Sequence, residues 1–158
     1  MTGSGRQESE SERLDRNLQE LLGELRVALP GVQVLFAFLL VVPFNTRFAD
    51  LSAGQERLYL ITLLTAGFAS ALLIAPTAQH RITFRMQEKE YIVRMGNRLT
   101  LAGLAFLAIS MTCAMALVID VVFSAATAIV CAALIGLAFV VLWYAMPARH
   151  VVRHRNQA

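Results

Sequence analysis

The chain has 158 residues, of which 57% are hydrophobic and 16% are charged, and its formal net charge is +3. A soluble domain is usually about half apolar and a quarter charged, so this composition excludes an ordinary water-soluble globular domain. The basic charge is spread over several short segments without interleaved aromatic residues, and no nucleic-acid partner is therefore predicted.

Charged and apolar residues are segregated along the chain. No Asp, Glu, Lys or Arg occurs from Leu58 to Ala78, and Asp120 is the only one between Arg98 and Arg149. Uncharged, mostly apolar runs of about 18 residues or more are typical of helices that cross a bilayer. The sequence therefore predicts an all-α fold, a four-transmembrane-helix bundle preceded by an amphipathic N-terminal helix.

The N-terminal part divides into two predicted segments. Residues 1–12 are mainly Gly, Ser and Glu, which predicts a disordered tail. Residues 13–29 predict an amphipathic helix that lies on the membrane surface or packs beneath the bundle, because leucines recur at three- and four-residue spacing. These leucines are Leu14, Leu18, Leu21, Leu22, Leu25 and Leu29. Pro30 and Gly31 then predict a kink or the first turn of a new helix.

The transmembrane domain is predicted over residues 30–146. Its spans are residues 30–44, 58–76, 99–119 and 121–146. Charged residues at four-residue spacing between the second and third spans predict helical extensions beyond the membrane. The last span is longer than a hydrocarbon core of about 30 Å requires, so it is expected to tilt or project. Residues 147–158 form a basic tail.

The basic residues predict the orientation. The N-terminal segment, the connection between spans two and three, and the tail together carry twelve of the fourteen Lys and Arg residues. The other two connections carry Arg47 and Arg57. Because Lys and Arg accumulate on the cytoplasmic side, we expect a multi-pass protein of a bacterial-type inner (plasma) membrane with both termini in the cytoplasm. Anionic lipid headgroups are the predicted partners of the basic inner connection.

Five polar residues near the ends of the spans are candidates for a functional site: Glu24, Arg26, Gln33, His80 and Asp120. The first three either form a polar cluster at the mouth of span one or are interfacial, with Gln33 bonded to a neighbouring helix. His80 is either a group that titrates near neutral pH or a solvated interfacial histidine. Asp120 suits the outer turn, where the dipole of the following helix favours a carboxylate.

The fourth span contains a face of small residues. Ser124, Ala128, Ala132 and Gly136 follow one another at intervals of four and therefore line one side of a helix. Small faces allow helices in lipid to approach closely, which predicts contact with another span or with another copy of the chain in a homo-oligomer. The alternative is that an alanine-rich span produces this spacing by chance.

No catalytic, cofactor or metal site is predicted. The sequence contains no nucleophile elbow, zinc-protease motif or glycine-rich phosphate loop, so we expect no enzyme. His150 and His154 have the spacing of two helical metal ligands, but the tail adds neither a cysteine nor a carboxylate. Cys113 and Cys131 are interpreted as packing residues at different depths, too far apart for a disulfide.

Three stretches have the character of family motifs: Glu20–Phe44 (ELLGELRVALPGVQVLFAFLLVVPF), Ala71–Arg85 (ALLIAPTAQHRITFR) and Asn97–Thr112 (NRLTLAGLAFLAISMT). From about Asn17 to Met146 the chain resembles an actinobacterial family of small four-helix membrane proteins of unknown function, whose members are often labelled sodium/proton antiporters. The resemblance implies a fold and a membrane setting rather than a mechanism.

Two functions stay open on these grounds. The first is a non-catalytic membrane protein that acts through helix–helix or partner contacts, as a homo-oligomer or a small subunit. The alternative is a small proton- or cation-linked transporter or channel, antiporter-like. Ion pathways usually contain ionisable residues deep in the membrane, and their absence from the spans favours the first function. An enzyme acting on lipids has only the basic connection in its favour.

Overall fold

The computed structural model describes residues 10–83 and 89–149, which form four long helices and no strand. The helices are α1 (Glu10–Val41), α2 (Ala53–Thr83), α3 (Lys89–Val122) and α4 (Ala125–Phe139). A π-helical segment, Val140–Ala145, continues α4. The predicted disordered tail as far as residue 9, and the basic tail from His150 onward with His154, lie outside the described residues.

All four helices are suited to a bilayer. Each is long and apolar enough to cross a membrane, with mean hydropathy between 2.1 and 2.7 over its most apolar 18 residues. Large apolar side chains point outward, among them Val27 and Phe44, which are 82% and 87% exposed. Outward apolar side chains are expected where the surrounding solvent is lipid. The predicted all-α fold with four spanning helices is confirmed.

Helix α1 continues through Pro30 without interruption, where the sequence predicted a kink or a new helix. Four of its five buried residues keep a seven-residue spacing on both sides of the proline: Leu18, Leu25, Val32 and Leu39. One face of a single helix therefore points at the other helices along its whole length. Pro30 itself is exposed, so its ring meets no neighbouring helix, and its missing N–H costs one helical hydrogen bond.

The amphipathic half of α1 packs against the other helices. Leu21 and Leu25 belong to the same buried cluster as Leu73 of α2 and Leu107 of α3. The sequence left open whether this segment lies on the membrane surface or packs beneath the bundle. In the structure it is part of one continuous helix that packs alongside α2 and α3. Its opposite face carries exposed charges such as the Arg16–Glu20 pair, whose atoms are 3.8 Å apart.

Helices α2 and α3 form the centre of the fold. Their contact is the most extensive in the described residues, α1 packs on both, and α4 lies along α3. Buried residues lie in one line along each of these two helices, at spacings of three or four residues and once of seven, and we call them the α2–α3 seam. They are Tyr59, Thr62, Ala66, Ala69, Leu73 and Pro76 on α2, and Gly96, Thr100, Gly103, Leu107, Ser110 and Leu117 on α3. This is the spacing of helices that wrap around each other, and the small members permit close approach.

Helix α4 is attached to one side of this unit. Within residues 10–83 and 89–149 its backbone approaches α3 and no other helix. Only 6% of its most apolar 18 residues are buried, against 28% for α2. The molecule is therefore a packed three-helix unit, α1 to α3, with α4 along its outer edge.

Candidate functional site

Two glycines allow the three central helices to approach closely. A Cβ atom at Gly103 would lie 2.8 Å from Cγ of Leu73, and one at Gly96 would lie 2.9 Å from Cδ2 of Leu21 and 3.5 Å from Cβ of Pro76. Cβ atoms do not fit at separations under 3 Å unless the neighbour moves, and Cγ of leucine is a branch point close to its backbone. Glycine at position 103 therefore sets the distance between α2 and α3, whereas the closest atom to Gly96 is the flexible end of the Leu21 side chain.

Hydrogen bonds between helices reinforce the same unit. Ser110 Oγ donates to the carbonyl oxygen of Thr62 at 2.9 Å, where both residues are fully buried. The hydroxyl of Tyr59 donates to the carbonyl oxygen of Leu39 at 2.8 Å, which joins α2 to α1. Bonds of this kind between membrane helices contribute on average about 0.6 kcal/mol each. They orient the helices as well as stabilising them.

Asp120 is joined to the beginning of α2. Gln55 Nε2 donates to Asp120 Oδ2 at 2.9 Å, while Gln55 Oε1 accepts from the backbone N–H of Ser52 at 2.9 Å. Ser52 Oγ accepts in return from the backbone N–H of Gln55 at 3.3 Å, which completes a capping box. We call the end of the molecule that contains this contact, the α1–α2 connection and the α3–α4 turn the distal end.

The position of Asp120 differs from the sequence interpretation. It lies within α3, which ends at Val122, and α4 begins only at Ala125. The carboxylate is thus near a helix C-terminus, where the dipole disfavours it, and the Gln55 amide compensates. Gln55 was missed as a functional partner, although the Ser-x-x-Gln pattern of the capping box was visible in the sequence.

The three candidates on α1 do not form a cluster with the other helices. Glu24, Arg26 and Gln33 are all exposed. In the part of the chain that the structure describes, none of them makes a hydrogen bond or an ion pair with another helix. They face outward because the inward positions of α1 are taken by the leucines and Val32.

His80 and Asp120 lie at opposite ends of the molecule. His80 is half-buried near the end of α2, whereas Gln55, the partner of Asp120, lies in the first turn of that helix. At 1.5 Å per residue the two positions on α2 are separated by roughly 37 Å. The five polar candidates therefore do not share one site.

The small face of α4 lies against α3 of the same chain. Ser124 is the N-cap, and its Oγ accepts from the backbone N–H of Thr127 at 3.3 Å. Ala128 is buried, and Ala132 and Gly136 are half-buried. A Cβ at Gly136 would lie 3.8 Å from Cγ2 of Thr112 on α3, an ordinary contact. Of the two partners that the sequence left open for this face, the structure shows another span.

A groove opens sideways at the distal end. Its volume is about 590 Å³, and its walls come from the end of α1, the α1–α2 connection and the end of α3. We call it the distal groove. Most of its lining is apolar, with Leu39 and Tyr59 among the buried residues that it touches and Asn45 and Arg47 among the exposed ones. Sequence reasoning missed it because its walls come from segments far apart in the chain.

Metal-ligating side chains are not gathered in the described residues. No group of three or more His, Cys, Asp or Glu side chains there is arranged to hold an ion. Cys113 and Cys131 are both half-buried free thiols, as their interpretation as packing residues requires.

These features define a class: a helical protein with four membrane-spanning helices, held together by close small-residue packing and by a few hydrogen bonds between helices. Residues 7–147 match a family of unknown function, DUF6328, and the chain belongs to this family. The predicted membership of a family of unknown function is confirmed. No curated protein and no solved structure matches the chain.

Proposed function

We propose that this chain is a non-catalytic protein of a bacterial inner membrane that acts through helix contacts, in which α4 of one copy meets α4 of a second. One observation supports this most: the backbone of α4 packs along α3 alone, and only 6% of its most apolar stretch is fully buried. All buried members of the two core clusters come from the other three helices.

The uncovered side of α4 has the pattern of a packing surface. One line of its exposed residues has three- and four-residue spacing, and we call this line the α4 outer seam: Ala126, Val130, Ala133, Leu137 and Val140. Exposure to lipid alone does not drive association, but close backbone approach does. Two alanines seven residues apart allow such an approach, and a face that packs on itself produces a two-fold symmetric dimer.

Disulfide crosslinking in vesicles tests the contact. Both native cysteines are first replaced, by Cys113→Ala and Cys131→Ala. In this background Ala133→Cys places a thiol on the outer seam, and Ala132→Cys places one on the face toward α3. We expect oxidation to crosslink the Ala133→Cys chain into a dimer and the matched Ala132→Cys chain much less, because a disulfide needs Cα atoms within about 7 Å. Equal crosslinking of the two, or none, would contradict the proposal.

The orientation with both termini in the cytoplasm is part of the proposal. Arg81, Arg94 and Arg98 are exposed at the end opposite the distal end, where anionic headgroups of the inner leaflet would meet them. Arg94 pairs with Glu90 one turn earlier. We expect a reporter enzyme that works only in the cytoplasm to be active when it is fused after Ala158. Activity of a reporter that works only after export would contradict this orientation.

The Gln55–Asp120 contact is the observation that favours the alternative, a proton- or cation-linked transporter, because it joins two spanning helices through a carboxylate. Flux of protons or Na⁺ into vesicles that depends on Asp120, and is lost in Asp120→Asn, would support transport. Flux equal in the two proteins, or none under any imposed gradient, leaves helix contact as the function.

A further inference from the structure

The distal groove is long enough to hold most of one acyl chain of a lipid. Along α3 its lining runs from Ala114 to Val122, which is about 12 Å at the helical rise of 1.5 Å per residue. One leaflet of the hydrocarbon core is about 15 Å thick. Because α3 crosses the bilayer, the groove extends from the distal end toward the membrane centre, in the direction of an acyl chain.

The walls of the groove are accessible from the lipid. Phe38, Phe44 and Val118 line it, and 70%, 87% and 59% of their respective surfaces are exposed. Leu39 and Tyr59 are buried lining residues, and the hydroxyl of Tyr59 is already bonded to the Leu39 carbonyl. The inner wall of the groove is therefore apolar, because the Tyr59 hydroxyl and the Leu39 carbonyl are bonded to each other.

The outer part of the groove carries a positive charge. Arg47 lines it and is exposed, and within the described residues its guanidinium pairs with no carboxylate. Asn45 lies beside it, where its Oδ1 accepts from the backbone N–H of Arg47 at 3.0 Å and fixes the turn. A cation at the end of an apolar groove complements a molecule with an anionic head and an apolar chain.

We infer that the distal groove binds one anionic phospholipid, with an acyl chain along α1 and α3 and the phosphate at Arg47. The acyl chain gains no hydrophobic free energy, since it leaves a solvent as apolar as the groove. Selectivity therefore comes from Arg47, which favours an anionic headgroup over a zwitterionic one, while the shape of the groove determines how long the lipid stays. This site is independent of the α4 contact and of the basic end.

Native mass spectrometry of the full chain tests the site. The protein is reconstituted in vesicles of equal amounts of phosphatidylglycerol and phosphatidylcholine, released into mild detergent, and its retained lipids are counted. We expect one retained lipid per chain and a preference for phosphatidylglycerol of about fivefold, the effect of one arginine near an anionic headgroup. A chain that retains no lipid, or that dimerises through a lipid-free groove, would overturn the inference.

Two matched pairs of variants separate a built site from general surface effects. Arg47→Gln should abolish the headgroup preference and Arg47→Lys should keep most of it. Arg57→Gln, which changes a basic residue in the second turn of α2, should leave the preference unchanged. Val118→Trp should fill the groove and release the lipid, while Met115→Trp, on the same helix but outside the lining, should not.

The four substituted positions are exposed, so we expect the variant proteins to fold. Thermal unfolding checks that they do. Equal effects of the two Gln variants, or retention of lipid in a folded Val118→Trp, would show that the lipid binds elsewhere on the surface.

Discussion

Helix α4 is more apolar than α2 and α3 and yet is much less buried. Mean hydropathy is 2.1 and 2.3 for the central helices and 2.7 for α4, whereas α4 is the least buried of the four. What distinguishes the pair is shape and polarity: the close approach of Gly103 to Leu73 and a buried Ser110–Thr62 hydrogen bond. Between membrane helices, packing rather than hydropathy determines which helix is central.

Helix α4 has weaker counterparts of both features. Gly136 makes only an ordinary contact with Thr112, and the exposed Tyr144 hydroxyl donates to the Leu101 carbonyl at 3.0 Å. The π-helical turn at Val140–Ala145 brings Trp143 against the buried cluster, where it also meets Phe139 edge-on at 4.8 Å between ring centroids. These contacts hold α4 to α3 without enclosing it.

The largest expected contrast is between leucines in the two regions. Leu73→Ala should lower the free energy of unfolding by about 2 kcal/mol, because it leaves a cavity at a fully buried position. Leu134→Ala on α4 should change it by less than about 0.5 kcal/mol, since that side chain is 63% exposed to lipid. Unfolding followed by circular dichroism in one detergent measures both. Losses of similar size would mean that α4 is as tightly packed as α2.

The next contrast uses the same substitution at two glycines. Gly103→Ala should destabilise by about 1 kcal/mol, because overpacking costs about 1–3 kcal/mol and the gain in helix propensity returns about 0.5–1 kcal/mol. Gly136→Ala meets only Thr112 at 3.8 Å and should be neutral or stabilising by up to about 0.5 kcal/mol. The same unfolding assay measures both variants. A Gly103→Ala protein as stable as the unmodified chain would show that α2 and α3 can move apart at no cost.

A double-mutant cycle sharpens the comparison at the distal end. Gln55→Ala and Asp120→Ala should couple by about 1 kcal/mol, since each removes the partner of a charge-assisted hydrogen bond. Asp120→Asn keeps an acceptor for the amide and should retain most of the stability. Strictly additive single effects would mean that the contact contributes nothing.

The smallest expected effect concerns the buried serine. Ser110→Ala should cost about 0.6 kcal/mol, the average for a hydrogen bond between membrane helices. Ser70→Ala is the control, because Ser70 Oγ bonds the Ala66 carbonyl of its own helix at 2.9 Å. If Ser70→Ala lowers the free energy of unfolding by as much as Ser110→Ala, the hydrogen bond between helices contributes no more than one within a helix.

Much of the fold was predictable because charged side chains are excluded from the hydrocarbon core of a membrane. Uncharged runs were enough to predict four spans, and the intervals of four from Ser124 to Gly136 marked the side of α4 that meets α3. The continuity of α1 was not predicted, because a proline usually interrupts a helix. Here the seven-residue spacing from Leu18 to Leu39 keeps one face inward through Pro30.

The pairing of the helices and the distal groove could not be predicted. The α2–α3 seam mixes leucines and alanines with isolated Thr, Ser and Tyr residues. A hydropathy pattern therefore does not separate it from the lipid-facing residues of the same spans. Gly67 of the second span faces α1 rather than α3, since a Cβ atom there would lie 3.6 Å from Cε2 of Phe36. The candidate polar residues failed to converge because each lies at the end of a different span or on an outward face.

The most direct test of the account is to count copies of the chain in a bilayer. With a fluorophore at the C-terminus and the protein diluted in vesicles, we predict two photobleaching steps per particle for the unmodified chain and mainly one for Ala133→Leu, which widens the α4 outer seam. Single steps for the unmodified chain at every dilution would contradict the claim that α4 joins two copies.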